Sequence, residues 1–387
     1  MTKKILIFST AYLPLVGGAE IAVKELTDRL AGFDFDLITA RIERKLIKQE
    51  KVGRIMVYRV GLGCKLDKFL LPIFGLIKVI QLNRKNNYQI IWSIMASQAS
   101  IAAAGFKMIF SNKKLVLNLQ EGDDEEHLKR YVLGNALLYK ILIRPWHLLV
   151  FKRADYITAI SADLKNRAAS NGVKATMEII PNGVDIKRFI QEYKTENLSA
   201  LKSRLGKLAD DKFIITSSRL VRKNAVNDII RALEYLPDNI KLLILGAGPD
   251  ENSLKSLVKE LKLEKRIFFL GHIEHEELPK YLKISDIFIR PSLSEGLGNS
   301  FLEAMASGVP IIGTRVGGIV DFLRDDETGL FCEVRNPESI AEKIKIYLAN
   351  KALTDKIRIN ARELVIKNYD WDLIAKRMEK IFEKLIV

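Results

Sequence analysis

Two glutamates eight residues apart, Glu295 and Glu303, lie in the stretch RPSLSEGLGNSFLEAMASGVPIIGTRVGG, residues 290–318. Residues 292–299 read as a loop, 300–307 as a short helix and 309–314 as a buried strand, with a glycine turn at Gly317 and Gly318. Gly296 and Gly298, either side of Leu297, let the backbone run close to a ligand just before Asn299 and Ser300. At that point the free N–H groups and the positive end of the helix dipole favour an anion. A phosphate on those amides, with two carboxylates accepting from hydroxyls beside it, makes a site for a sugar nucleotide. The spacing leaves a second reading open. Ser300 and Glu303 also fit S-x-x-E, so Glu303 can serve simply to close a capping box, with the glycines as plain loop residues.

Other segments carry the complementary charge. Ser218-Arg219-Leu220-Val221-Arg222-Lys223-Asn224 follows an apolar run, and three cations after a strand can clamp a diphosphate and neutralise a leaving group. A solvated loop is the alternative. Gly246-Ala247-Gly248-Pro249 ends the next run, either as a tight strand-to-helix turn or as a contact to a nucleotide. Near the N-terminus, Gly17 and Gly18 sit between a strand and a helix, as a helix-start turn or an anion loop. They do not form G-x-G-x-x-G, which argues against an ordinary dinucleotide oxidoreductase.

The elements that must hold these residues are short and apolar. Strands are expected at residues 4–9, 35–39, 55–60, 90–93, 115–119 and 155–161, with an amphipathic helix at 19–30. The pattern restarts with strands at 213–217, 241–245, 267–270 and 287–289. A chain of 387 residues exceeds one comfortable core, so two doubly wound α/β domains are expected. The turn Pro181-Asn182-Gly183 leads into a polar connector at 186–210, which puts the boundary near residue 190. Tyr369-Asp370-Trp371 opens a last helix.

The net charge of +15 is uneven: residues 1–190 hold 30 Lys and Arg against 17 Asp and Glu. That bias points to an anionic partner for the first half, and no nucleic-acid module signature accompanies it. Segments 65–85 and 129–153 mix apolar bodies with basic ends, the second with Tyr131, Tyr139, Trp146 and Phe151. They read either as core packing with a wet basic face or as surfaces for anionic lipid. Residues 86–106 carry no charge but are interrupted by polar side chains, and read as a strand plus helix, not as a membrane span. Cys64 and Cys332 lie outside any metal spacing and fit a reducing compartment, or simply buried thiols. With no cleavable leader pattern in MTKKILIFST, the expected location is cytoplasmic, including the inner face of a membrane.

Together these motifs closely resemble glycosyltransferase family 4 (glycosyl transferases group 1), retaining enzymes of the GT-B fold. Its donor signature, E-x7-E followed by A-M-A-x-G-x-P, is present in order as Glu295, Glu303, Ala304-Met305-Ala306, Gly308 and Pro310. G-G-x-E (Gly17 to Glu20), P-N-G-V-D (Pro181 to Asp185), S-R-L with Lys223, and G-x-G-P also match, so the resemblance covers nearly the whole chain. It implies two Rossmann-like domains with parallel sheets facing across a cleft. Residues 1–190 would serve the acceptor, 191–368 would bind the donor, and 369–387 would cross back onto the first domain with Trp371 packed in the crossover.

The implied reaction moves a sugar from a nucleoside diphosphate sugar to a sugar or lipid-linked acceptor with retained configuration, without a metal or further cofactor. By resemblance Arg219 and Lys223 bind the diphosphate, Glu303 the ribose and Glu295 the donor sugar. Gly17, Gly18, Gly246, Gly248, Gly296, Leu297, Gly298, Asn299 and Ser300 line the donor. Where many members carry a histidine at the end of a strand, this chain has Gln120, followed by Glu121; none of His127, His147, His272 and His275 fills that position. Gln120 becomes a candidate for a sugar hydroxyl, and Glu121 or Asp123 for the acceptor. Arg290 stands where a small or apolar residue is common. Two other classes stay open: a sugar-nucleotide 2-epimerase of the same fold, and a basic nucleic-acid or anion-binding module.

Overall fold

The computed structural model describes residues 3–15, 17–120, 135–138, 141 and 144–386. Glu121, Asp123, His127, Tyr131 and Tyr139 lie outside them. The chain divides into two compact units, one of residues 1–182 with 371–387 and the other of 183–370. The division falls ahead of residue 190 for a local reason. Asp185 accepts from the Arg188 amide and so caps a short helix, Ile186–Ile190, whose Ile186 and Phe189 are buried. That helix packs on the second unit's helix Asn299–Ala306.

The first unit is built on β1 (Lys3–Phe8), β2 (Phe33–Ala40), β3 (Gln49–Val52), β4 (Ile55–Val60), β5 (Ile90–Ile94), β6 (Lys114–Leu119), β7 (Tyr156–Ala159) and β8 (Thr176–Ile179). Among the described residues they form one sheet in the order β3-β4-β2-β1-β5-β6-β7-β8. All neighbours are parallel except β3 and β4. Ile5 to Phe8 are wholly buried, as expected of a strand covered on both faces. Residues 86–106 form β5 and most of the helix Gln98–Ile109.

The last helix, Trp371–Ile386, belongs to this first unit. Its Trp371, Ile374, Met378 and Phe382 enter the core beside β1, β2 and β5. The Phe382 ring meets Trp92 at 5.4 Å and Phe33 at 5.7 Å, both edge-on.

The second unit carries β9 (Lys212–Ser217), β10 (Ile240–Leu245), β11 (Ile267–Gly271), β12 (Ile287–Arg290), β13 (Ile311–Gly313) and β14 (Leu330–Phe331). These are all parallel, in the order β11-β10-β9-β12-β13-β14. Between them run helices such as Val226–Ala232, Glu251–Glu260 and Asn299–Ala306. Both units are therefore doubly wound α/β layers. Both cysteines are unbridged; Cys332 is buried, but Cys64 is exposed, in a glycine-containing loop and not in a core.

Candidate functional site

In the second unit β10, β9 and β12 are adjacent and parallel, so the loops leaving their C-terminal ends emerge along one edge of the sheet. This is where doubly wound folds place ligands. The loops are joined to one another through their backbones. Leu220 donates to the Ala247 carbonyl at 3.0 Å, and Asp250 donates to the Leu220 carbonyl at 3.1 Å. The amide of Leu293 reaches the Lys223 carbonyl at 2.7 Å.

Gly246 and Gly248 owe their identity to this arrangement. A Cβ at Gly246 would lie 2.0 Å from the Ser218 carbonyl oxygen, and one at Gly248 would lie 2.2 Å from that of Leu220. Gly246 also sits at φ +123°, which side chains rarely adopt. The glycines thus let the G-A-G-P turn press against the S-R-L loop. Arg219 and Arg222 are exposed on that loop, with Lys223 half-buried.

Arg290, at the end of β12, is the hub of the site. Its guanidinium donates to Ser300 Oγ and to Asn224 Oδ1, both at 3.0 Å, and Nη2 lies 2.5 Å from Glu295 Oε2. Asn224 in turn donates to the Arg219 carbonyl at 2.6 Å. One cation therefore holds the cationic loop, the Glu295 loop and the helix start together. Glu295 Oε1 accepts from the Gly296 amide at 3.1 Å, while Oε2 faces Arg290 without an in-line hydrogen bond. The carboxylate is held by charge and keeps acceptor capacity for a ligand hydroxyl.

The helix Asn299–Ala306 begins after Gly298, at φ +95°, an N-cap residue with no side chain to cap it. The S-x-x-E capping box is not formed: Ser300 is turned to Arg290, and Glu303 Oε1 is 2.8 Å from His275 Nε2. The positive end of the helix dipole at this start favours an anion. Glu303 is therefore not spent on its own helix. His275 is partly buried, which opposes its charging, but the Glu303 carboxylate outweighs burial and raises its pKa above the ordinary 6.5.

In the first unit the expected residues are differently engaged. Gln120, just past β6, forms a reciprocal amide pair with Asn182: Nε2 to Oδ1 at 3.1 Å, and Asn182 Nδ2 to Oε1 at 2.9 Å. Glu121 lies outside the described residues. Gly17 precedes the helix Gly18–Arg29 in extended conformation. Glu20 folds back on the Gly17 and Glu20 amides, and burial outweighs those bonds to raise its pKa. That carboxylate occupies the helix start which the glycine loop was expected to offer to a phosphate.

Sequence spacing missed Arg290 as a hub, Asn182 as the partner of Gln120, and His275 as the partner of Glu303. Arg290 was visible as a charge out of place. His275 lies 28 residues before Glu303, and only the fold brings them together.

Two parallel-sheet units, with glycine turns, a cationic loop and paired glutamates on one edge of the second, define the GT-B class of glycosyltransferase. The glycosyltransferase family 4 description matches residues 16–188, and that of glycosyl transferases group 1 matches residues 199–364. The chain belongs to glycosyltransferase family 4 and is a glycosyltransferase. It is 29% identical to N-acetyl-alpha-D-glucosaminyl L-malate synthase of Bacillus anthracis, over 98% of this chain and 97% of that one. A sucrose-phosphate synthase from Thermosynechococcus elongatus superposes with a TM-score of 0.84 at 22% identity, over 99% of each chain. The Anabaena protein HepE, solved in complex with UDP-glucose, superposes with a TM-score of 0.81 at 20% identity, over 98% of this chain and 99% of its own.

Proposed function

We propose that this glycosyltransferase takes a nucleoside diphosphate sugar at the second unit and transfers the sugar with retention. The observation carrying this reading is the stitched edge itself: the Arg219–Lys223 loop, Glu295 and the helix start at Ser300, drawn together through Arg290 and Asn224, with Glu303 on that same helix. As the bond between the sugar's anomeric carbon and the phosphate oxygen breaks, negative charge grows on the diphosphate. Arg219, Lys223 and the helix-start amides stabilise that charge more in the transition state than in the ground state. Glu303 accepts from the ribose hydroxyls, and Glu295 faces the donor sugar and its developing positive charge. Attack comes from the face the phosphate leaves, so the acceptor oxygen bonds to the anomeric carbon and its proton passes to the phosphate. HepE's complex with UDP-glucose supports a nucleotide-sugar donor for this fold.

No metal or cofactor beyond the donor takes part in this proposal. The experiment is product analysis by NMR with an active donor and acceptor in the presence of EDTA. A product with the donor's anomeric configuration supports the reading. An inverted product, loss of turnover in EDTA, or an epimerised donor formed without acceptor contradicts it.

The acceptor in this reading is a sugar or lipid-linked glycan precursor met at an anionic membrane face. The helix Asp67–Asn83 supports this placement. Leu66, Phe69, Ile73 and Ile77 fall on one side of it and are all exposed. Lys65, Arg84 and Lys85 are exposed at its ends. Residues 68–120 contain no aspartate or glutamate, and Asp67 is wholly buried. An apolar stripe bordered by cations fits an anionic lipid surface. Among the described residues no helix is long and apolar enough to cross a membrane.

A further inference from the structure

Glu303 does not stand alone on its helix. His275, in the loop that follows β11, approaches it from one side with Nε2 2.8 Å from Oε1. The other ring nitrogen, Nδ1, is 2.8 Å from Nη1 of Arg188, on the short helix Ile186–Ile190. The ring also packs against Phe189, with centroids 5.5 Å apart, and Phe189 is wholly buried. Arg188 is steadied by Asp185, 3.4 Å from Nη2.

The chemistry of these groups gives the chain a direction. A guanidinium only donates, so Nδ1 must accept. In the neutral ring this leaves the single ring proton on Nε2, where it donates to Glu303. A carboxylate receiving that proton donor acts as an acceptor, with Oε2 and the remaining capacity of Oε1 turned to other donors. A vicinal diol, as in ribose, supplies two O–H donors.

We propose that His275, set by Arg188 and Phe189, is a positioning residue that fixes the rotamer and acceptor state of Glu303 and thereby makes the site select ribonucleotides over 2′-deoxyribonucleotides. The inference rests on Glu303 as the ribose ligand. It goes beyond that reading in assigning the selectivity to a histidine and an arginine that do not touch the nucleotide.

The test measures equilibrium binding of UDP, GDP and ADP, each beside its 2′-deoxy form, to the full chain and to three variants. Losing one hydroxyl bond to a charged acceptor should weaken wild-type binding about ten- to hundredfold. His275→Ala should bind both forms with nearly equal affinity, with the loss confined to the ribonucleotide. His275→Gln, whose amide can accept from Arg188 and donate to Glu303, should recover much of the ratio. Glu303→Gln serves as the reference for the underlying reading. If His275→Ala weakens ribo and deoxy forms equally while Glu303→Gln abolishes the ratio, His275 is merely structural and the proposal is overturned. If Glu303→Gln leaves the ratio unchanged, or none of the ribonucleotides binds, the ribose assignment itself falls, and the His275 proposal with it. Unchanged thermal melting of the variants separates these outcomes from misfolding.

Discussion

Replacing Arg290 by alanine should damage stability and activity together, by an amount that can be worked out. Its side chain is 12% exposed and that of Glu295 13%, with 2.5 Å between charged atoms. Removing one partner of a buried ion pair costs about 3–5 kcal/mol, because the remaining charge stays desolvated without compensation. Here the Ser300 and Asn224 bonds disappear as well. In a unit of this size, each kcal/mol moves the melting midpoint by about 2–4 °C, so Arg290→Ala should melt roughly 6–20 °C lower. The paired change Arg290→Met with Glu295→Gln removes both charges and should recover most of that loss, although it loses transfer if Glu295 faces the sugar. Circular dichroism melting of the three proteins is the assay. A single variant melting within about 2 °C of wild type would refute the hub. So would a paired variant no more stable than the single one, since the penalty would then not come from a stranded carboxylate.

Three further outcomes test other parts of the account. Gly246→Ala should destabilise the second unit by more than the roughly 1 kcal/mol typical of a point change, because its Cβ meets the Ser218 carbonyl and its φ is positive; urea unfolding at an unchanged midpoint would show that the turn can open. Asp67 is buried, which opposes its charge, but amides of Leu62, Gly63 and Cys64 outweigh burial and lower its pKa below 3.8. A depressed folded pKa gives stability that is present above the unfolded value and lost as pH falls through the folded one. Wild type should therefore lose stability below about pH 4 more steeply than Asp67→Asn, and parallel acid titrations would contradict this role. Finally, the chain should co-sediment with anionic liposomes more than with neutral ones, and Ile73→Glu should reduce this. Equal pelleting with both lipids removes the membrane proposal.

Much of the fold could be read in the sequence because buried parallel strands are short apolar runs: 4–9 proves to be β1 and 55–60 is β4 as expected. The strands it did not reveal are those with little apolar signal. β3 (QEKV) is an exposed edge paired antiparallel with β4, β8 (TMEI) is a half-buried edge, and β14 has two residues. The donor-side motifs were legible because they are local. Their engagement was not. Whether Glu303 capped its helix or faced outward depended on His275, and whether Gln120 stood alone depended on Asn182, 62 residues away. Side chains recruited across a sheet leave no spacing to read.

The most direct measurement is the release of nucleoside diphosphate from a panel of radiolabelled nucleotide sugars, without acceptor, by wild type and by Arg219→Ala. Slow release from at least one donor by wild type, cut about a hundred- to thousandfold in the variant, is the expected result. Wild type that neither binds nor hydrolyses any nucleotide sugar would contradict the donor site. An Arg219→Ala protein as active as wild type would contradict its diphosphate clamp.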